Sequence, residues 1–202
     1  MAPHAFAVRV IGALVLTAAL APACATTASQ RLSSAEAASL DRLLTLIVAR
    51  LEVAPDVARA KWNSHAPIED LPREAQVIAT VGRSASEYGL PRADAERFFQ
   101  AQIDASKVVQ RAMIEEFTRS ARPPFATVKS LETEIRPVLD RLTPALLREY
   151  GAAFSMLSRA DVRRALERRS HRVAPQVPGG GAAMAVAVSV LTGSLADRGQ
   201  VR

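Results

Sequence analysis

Two cations lie in the apolar stripe of the first predicted helix. With spacings of three and four residues, the stripe consists of Leu40, Leu43, Ile47, Arg50, Ala54, Val57 and Lys61. Such spacing marks the helix face that turns toward neighbouring elements. Arg50 and Lys61 are eleven residues apart, so at roughly 100° per residue they lie about 20° apart in azimuth and point into the same space. Because a buried cation is costly unless an anion meets it, and the stripe contains no acid, the pair predicts an anionic ligand.

A later predicted helix carries a hydroxyl and an amide in its apolar stripe. This stripe consists of Phe99, Ile103, Ser106, Gln110, Met113 and Phe117. Each polar residue also has a simple structural explanation. Arg50 would reach solvent at the edge of its stripe, Ser106 would bond to its own helix, and Gln110 would be a satisfied core amide. Taken together, two cations, a hydroxyl and an amide on inward faces favour one site for a small anion.

Three charged residues lie between the two stripes. Asp70 is nine residues beyond Lys61, Arg73 is three further, and Glu74 follows directly. Their structural explanation is again simple, because Asp70 would cap a helix N-terminus and the other two would form its solvent-exposed first turn. The full string is then an Arg, a Lys eleven on, an Asp nine further, an Arg three further, and later a Ser and a Gln four apart.

This string resembles the AroQ-type chorismate mutases. The resemblance covers roughly residues 36–117, and more loosely the region to 169. The signal-like N-terminus and the single-chain length resemble the exported, gamma subclass of that family. The segments that carry the match are Lys61-Trp62, Pro67-Ile68-Glu69-Asp70, Arg73-Glu74, Gln102-Ile103, Ser106 and Gln110.

The resemblance implies an isomerase that rearranges chorismate, a dianion, to prephenate without a cofactor or metal. Such a unimolecular step depends on holding a compact conformer and on stabilising charge that develops on the ether oxygen. By resemblance, Arg50 and Ser106 would bind one carboxylate. Lys61 would contact the other carboxylate and the ether oxygen, to which Gln110 would also donate. The remaining groups would add positive charge or receive the substrate hydroxyl: Arg73, Glu74 and the backbone near Asp70.

The chain departs from the family pattern at two positions. Exported relatives usually place an Arg five residues after the Asp of a hydrophobic-Asp-x-Leu motif, which is 139–142 here, and the corresponding residue is Ala145. Arg141 and Arg148 lie on the same side of a helix as Ala145, and either would supply the missing charge. Val77 stands where relatives often have a polar residue. We expect these changes to affect carboxylate binding more than the reaction.

An all-α bundle of five or six helices would position these residues. Hydrophobic residues make up 49% of the chain and aromatics only 4%, and the dominance of Ala, Leu and Arg favours helices over sheets. Ser33 and Glu36 form a predicted capping box for the first helix, which Pro55 kinks or restarts. Further helices are predicted from near Asp70 to Tyr88, from Pro91 to before Pro123, over about 128–157, where Thr143 and Pro144 would begin a new segment, and from a Ser158 cap to Arg169.

The two ends of the chain differ from this helical domain, which we assign to residues 26–169. Residues 1–25 have the layout of a secretory signal, with Arg9, an apolar stretch over 10–20 and cleavage near Ala23-Cys24-Ala25. Cleavage is favoured over lipidation of Cys24, because the preceding residues make a poor lipobox. Residues 170–202 are rich in Pro and Gly, which predicts a disordered or loosely packed tail. The expected location is the periplasm or the exterior.

Charge and composition limit the partners. The formal charge is +6, but the Arg residues are spread out, so nucleic acid is a weak interpretation. The apolar run 182–191 is too short to span a membrane. A homodimer is implied by the resemblance alone. Two alternatives stay open: an inactive protein of the same fold that binds an anionic metabolite or protein partner, which Ala145 favours, and a basic protein at a membrane surface, which only the run 182–191 supports.

Overall fold

The computed structural model describes residues 32–193. The predicted signal peptide, Cys24 and residues 194–202 lie outside this range. Within it the chain forms seven α-helices and no strand, which confirms the all-α prediction. The helices are α1 (Ser34–Leu51), α2 (Ala54–Ser64), α3 (Leu71–Ser84), α4 (Arg92–Arg119), α5 (Arg136–Phe154), α6 (Ala160–Val173) and α7 (Gly180–Thr192).

The first two helices follow the predicted signals. Ser33 caps α1, and its hydroxyl accepts a hydrogen bond from the Glu36 backbone while the Glu36 carboxylate accepts one from the Ser33 backbone. Pro55 lies in the first turn of α2, where its missing N–H costs no helical hydrogen bond. The chain therefore restarts as a helix after Leu51, and the apolar stripe continues across the break.

The 28-residue helix α4 is the centre of the fold and packs against α1, α2, α3 and α7. Its residues Phe98 and Phe99 are fully buried, and the Phe98 ring lies 4.5 Å from the ring of Tyr150 on α5. Helix α3 begins at the N-cap Asp70 and continues into a 3₁₀ turn, Ala85–Tyr88, that ends at Gly89 with φ of 69°. Four helices thus pack along α4.

The connection from α4 to α5 is held by side chains of α2. The Asn63 amide donates to the carbonyl of Phe125 and accepts from its N–H, both at 2.8 Å. The Arg122 guanidinium lies 4.3 Å from the centre of the Phe125 ring. Lys129 forms a 2.7 Å ion pair with Asp56. These contacts set the position of a π-helical turn, Leu131–Ile135, which leads directly into α5.

Two predicted helix starts in the C-terminal half are wrong. Helix α5 continues through Pro144, and the Thr143 hydroxyl donates to the Leu139 carbonyl at 2.9 Å instead of capping a new helix. A proline inside a helix costs about 3 kcal/mol, but α5 packs against α1 and buries Leu146 and Leu147 beyond it, which offsets that cost. Helix α6 begins one residue after Arg159, and the Ser158 hydroxyl donates to the Ser155 carbonyl.

The predicted disordered tail is wrong for residues 170–193. Helix α6 extends to Val173, and α7 packs against α4 and α6. The face of α7 that contains Ala183, Met184 and Ala187 is buried, and the buried Gln102 of α4 donates to the Ala187 carbonyl at 2.8 Å. Small apolar residues allow this close packing, so composition alone was misleading. None of the helices within 32–193 is long and apolar enough to cross a membrane.

Candidate active site

One cavity lies between α1, α2, α3, α4 and the start of α5. Its apolar wall consists of Val57, Ile68, Val77, Ile103, Leu131, Ile135 and Leu139. Seven of the eight residues proposed from the sequence line it: Arg50, Lys61, Asp70, Arg73, Glu74, Ser106 and Gln110. All of these side chains belong to one chain.

Arg50 is the most deeply buried cation of the cavity, with 6% of its surface exposed. Burial lowers the pKa of Arg50 to about 10, against the attraction of Asp140 and with repulsion from Arg73. A guanidinium with that pKa is still charged at neutral pH. Its Nε has no hydrogen-bond partner within residues 32–193. The side chain lines the cavity and has unused donor capacity, which a carboxylate ligand could take up.

Lys61 is 8% exposed and uses one of its ammonium protons to donate to the carbonyl of Ile68. Burial lowers the pKa of Lys61, and the carboxylates of Asp70 and Glu74 oppose that change. An ammonium carries three donors, so the two remaining protons are available to a ligand. The position of Lys61 depends on the break between α1 and α2, across which the apolar stripe stays on the same side of the two helices.

Ser106 and Gln110 are adjacent on α4, one turn apart. Nε2 of Gln110 donates to the Ser106 hydroxyl at 3.1 Å, and Gln110 is only 4% exposed. Oε1 of Gln110 is buried and has no partner in the described part of the chain. An amide nitrogen carries two protons. One of them is therefore available to an acceptor in the cavity while the other contacts Ser106.

Asp70 and Glu74 are held by the start of α3. Oδ1 of Asp70 accepts from the Arg73 backbone at 3.3 Å, as the N-cap prediction requires, and Oε1 of Glu74 accepts from the Asp70 backbone at 3.2 Å. The second oxygen of each carboxylate pairs with a cation: Asp70 with Arg136 at 3.2 Å and Glu74 with Lys107 at 2.9 Å. Asp70 thus serves both as a helix cap and as part of the cavity.

The structure places a different arginine beside the cavity from the two that the sequence suggested. Arg141 is exposed and does not line the cavity, nor does Arg148; Arg136 does. Because α5 begins at Arg136 and the connection before it is held by Asn63, the first turn of α5 faces the cavity. Arg136 lies one turn before Asp140 of the motif, whereas Arg141 lies within the motif and Arg148 after it.

Lys107 also lines the cavity, although it was not among the site residues predicted from the sequence. It adjoins Ser106 on α4, and its side chain is 12% exposed and pairs with Glu74 and Asp104. With it, the lining contains five cations and three carboxylates, which leaves two positive charges in excess. A ligand with two carboxylates would balance them. Within residues 32–193 no group of three or more His, Cys, Asp or Glu side chains is arranged to hold a metal ion.

Comparisons with known proteins agree with this chemistry. The family model "Chorismate mutase type II" matches residues 35–111. A monofunctional chorismate mutase of Enterobacter agglomerans is 33% identical over 114 residues, which are 56% of this chain and 62% of that protein. The chain thus spans less than two thirds of that relative. A secreted chorismate mutase of Mycolicibacterium smegmatis is 28% identical over 136 residues, which are 65% of this chain and 75% of that protein.

A solved structure extends the match over most of the fold. The crystal structure of a chorismate mutase from Burkholderia thailandensis is 31% identical, with a TM-score of 0.71, and the match covers 76% of this chain and 98% of that one. The agreement therefore reaches beyond the segment that the family model matches to the overall helix arrangement. This chain belongs to the type II chorismate mutase family.

Proposed function

We propose that the protein is a chorismate mutase that rearranges chorismate to prephenate in the cavity around Arg50 and Lys61. The observation that carries the proposal is the excess of two positive charges in a largely apolar cavity. Chorismate is a dianion, so it matches that excess. Family membership and relatives named chorismate mutase, an isomerase, support the same assignment.

The substrate carboxylates bind to the cations of the cavity. Arg50, assisted by Ser106, binds one of them through its planar guanidinium, which suits bidentate contact. Lys61 contacts the other. Arg73 and Arg136 add positive charge at the α3 and α5 walls. The ring hydroxyl of the substrate contacts Glu74 and the backbone near Asp70. The Asp70 N–H already donates a hydrogen bond to the Glu74 carboxylate.

The rearrangement is intramolecular, so no nucleophile and no proton transfer is required. One C–O bond breaks and one C–C bond forms in the same step. The apolar walls and the two carboxylate contacts select a compact conformer. Lys61 and Gln110 donate to the ether oxygen as negative charge develops there, which stabilises the transition state more than the ground state.

The experiment is direct. Purified mature protein is mixed with chorismate at millimolar concentration, and the loss of chorismate absorbance is followed together with the appearance of prephenate. Turnover is expected without added metal or cofactor. The absence of turnover would instead favour the alternative of an inactive binder, although its main support, the gap at Ala145, is weakened by Arg136 in the cavity.

The proposal includes export and membership of the gamma subclass. The relative from Mycolicibacterium smegmatis is named a secreted chorismate mutase, and the first 25 residues have the pattern of a signal peptide. Cell fractionation with N-terminal sequencing tests this. A mature chain that starts near residue 24–26 in the periplasm or medium is expected, whereas a cytoplasmic chain that retains residues 1–25 would contradict export. Mass spectrometry of the N-terminus separates simple cleavage from lipidation at Cys24.

A homodimer is the proposed assembly, supported by resemblance to the family alone. Because the cavity is lined by one chain, we expect each subunit to act independently. Sedimentation equilibrium measures the assembly, and turnover per chain should stay constant on dilution below the dissociation constant of the dimer. A loss of specific activity on dilution would show that the subunits depend on each other.

A further inference from the structure

The carboxylate of Asp140 forms an ion pair with Arg73, a cation that would also interact with the proposed substrate. Its Oδ1 lies 2.5 Å from Nη2 of Arg73, and both residues line the cavity. Asp140 is also the anion whose charge acts most strongly on Arg50. One acidic side chain thus faces two of the arginines that would bind a dicarboxylate.

Asp140 is held differently from the other two carboxylates of the cavity. Asp70 and Glu74 each accept a hydrogen bond from the backbone at the start of α3, in addition to an ion pair. For Asp140 the structure shows a single hydrogen bond, to Arg73, and its side chain is 58% exposed. A carboxylate with one exposed ion pair is weakly held, so Asp140 can leave Arg73 by a side-chain rotation.

A groove between α3 and α5 adjoins the cavity at this point. Asp140 and Arg73 line both spaces, and Gln76, Thr80 and Tyr88 line only the groove. Gln76 also accepts from Nη1 of Arg73 at 3.0 Å, so Arg73 keeps a partner when Asp140 turns away. The displaced carboxylate then lies in a solvent-open groove that Gln76 and Thr80 line in part, instead of beside a bound carboxylate.

We propose that Asp140 is a displaceable internal carboxylate, which pairs with Arg73 in the empty cavity and yields that cation to a carboxylate of the incoming dianion. This inference rests on the proposed function. Asp140 competes with the substrate for Arg73, and as one of the three carboxylates of the lining it holds the positive excess of the empty cavity at two. It therefore limits affinity for dicarboxylates without taking part in the rearrangement.

The test is the variant Asp140→Asn, which keeps the size of the side chain and removes its charge. Exposed ion pairs have interaction free energies that correspond to about a two- to fivefold change in an equilibrium constant. We expect KM for chorismate to fall by that factor while kcat stays within about twofold, on the same scale. The inhibition constant of the product prephenate, also a dicarboxylate, should fall in parallel.

Two further variants separate charge from packing. Asp140→Glu retains the carboxylate and should not lower KM. Glu132→Gln is the matched control, because Glu132 also pairs with a cavity arginine, Arg136 at 3.7 Å, but is 79% exposed and does not line the cavity. It should leave KM unchanged. Thermal unfolding of each variant checks that the fold is retained.

The opposite outcome has a clear meaning. If Asp140→Asn raises KM or lowers kcat, Asp140 orients Arg73 for the substrate, and the inference is overturned; an unchanged KM overturns it as well. Failure of the wild-type protein to turn over chorismate contradicts the proposed function instead. In that case a calorimetric titration with chorismate still compares the wild-type protein with Asp140→Asn. If neither protein binds chorismate, both proposals are overturned.

Discussion

The two sides of the cavity are built in different ways. On the side of α1, α2 and α4, the polar groups of Arg50, Lys61 and Gln110 extend from buried positions in continuous helical stripes. On the α5 side, Arg136 and Asp140 are 34% and 58% exposed and are held by ion pairs to Asp70 and Arg73. Buried groups cannot be re-solvated when a partner is lost, whereas exposed groups can. We therefore expect the buried side to govern the chemical step and the α5 side to adjust binding.

Lys61→Ala should have the largest effect. A donor to a developing oxyanion contributes about 3–4 kcal/mol, or about 10²–10³ in kcat, and its removal leaves the Ile68 carbonyl without this partner. Arg92→Ala is the control, because Arg92 is 69% exposed and pairs with Glu96 one turn along the same helix, outside the cavity. Steady-state kinetics of the two variants measure the difference. Similar kinetics for both would remove the distinction between buried and exposed cations.

Gln110→Glu should produce a pH-dependent loss. A glutamate donates only when protonated, so activity should shift toward acid and fall by roughly 10² at alkaline pH if its contact with the ether oxygen resembles other oxyanion donors. Burial would raise the pKa of the new carboxyl, and the neighbouring Lys61 would lower it. The wild-type amide has no such limit between neutral and alkaline pH. An unchanged pH–rate profile in the variant would count against this role.

The alkaline limit of the wild-type protein should come from Lys61. Because burial lowers the pKa of Lys61, the ammonium loses its proton at a pH below that of an exposed lysine, and activity should decline as the pH rises through that value. A profile of kcat/KM reports the pKa of the free protein. Lys61→Arg should move the decline to higher pH, since a guanidinium stays charged; a decline at the same pH would assign it to another group.

Arg136→Ala and Arg141→Ala compare two arginines of α5. Arg136 lines the cavity, whereas Arg141 is exposed outside it. Arg136→Ala removes a charged contact with the substrate from a partly buried side chain. It should raise KM about tenfold, corresponding to about 1.4 kcal/mol, with a smaller effect on kcat. Arg141→Ala should change neither constant. An effect of Arg141→Ala equal to that of Arg136→Ala would restore the original assignment from the sequence.

Asn63→Ala should have the smallest effect and should act on the α5 side alone. The two hydrogen bonds to Phe125 contribute about 1 kcal/mol each to stability, and their loss should loosen the connection that places Arg136. We expect a lower Tm and a KM raised by a few fold at most, on the scale of a partly exposed contact. A large loss of kcat would show that the buried side depends on this connection too.

Much of the α1, α2 and α4 side of the cavity was predictable from a few residues and their spacing. Ser33 and Glu36 identified the start of α1, Pro55 the restart at α2, and the three-four spacing placed Arg50, Lys61, Ser106 and Gln110 on inward faces. Local hydrogen bonding and helix periodicity decide these features, and both depend on residues only a few positions apart. The resemblance to the family added their roles, which stay proposals.

The α5 side and the C-terminal region were not predictable in the same way. Pro144 indicated the start of a new helix, and the Pro and Gly content of residues 170–202 indicated a disordered or loosely packed tail. Both predictions failed because apolar burial against α1 and α4 outweighs local propensity. Arg141 lies closer to the expected position in sequence than Arg136 does. Which arginine faces the cavity depends on where α5 begins, and that is set by contacts of Phe125 with Asn63, 62 residues away.

The sequence by itself therefore determined the helical class, the two polar stripes and the demand of buried cations for an anion, because periodicity and the cost of burying charge are local. Only the tertiary structure decided that Arg136 and Lys107 line the cavity, that Asp140 pairs with Arg73, and that α7 packs on the helical domain. Those outcomes depend on contacts between residues distant in the chain, whose free energies exceed the local preferences that the sequence displays.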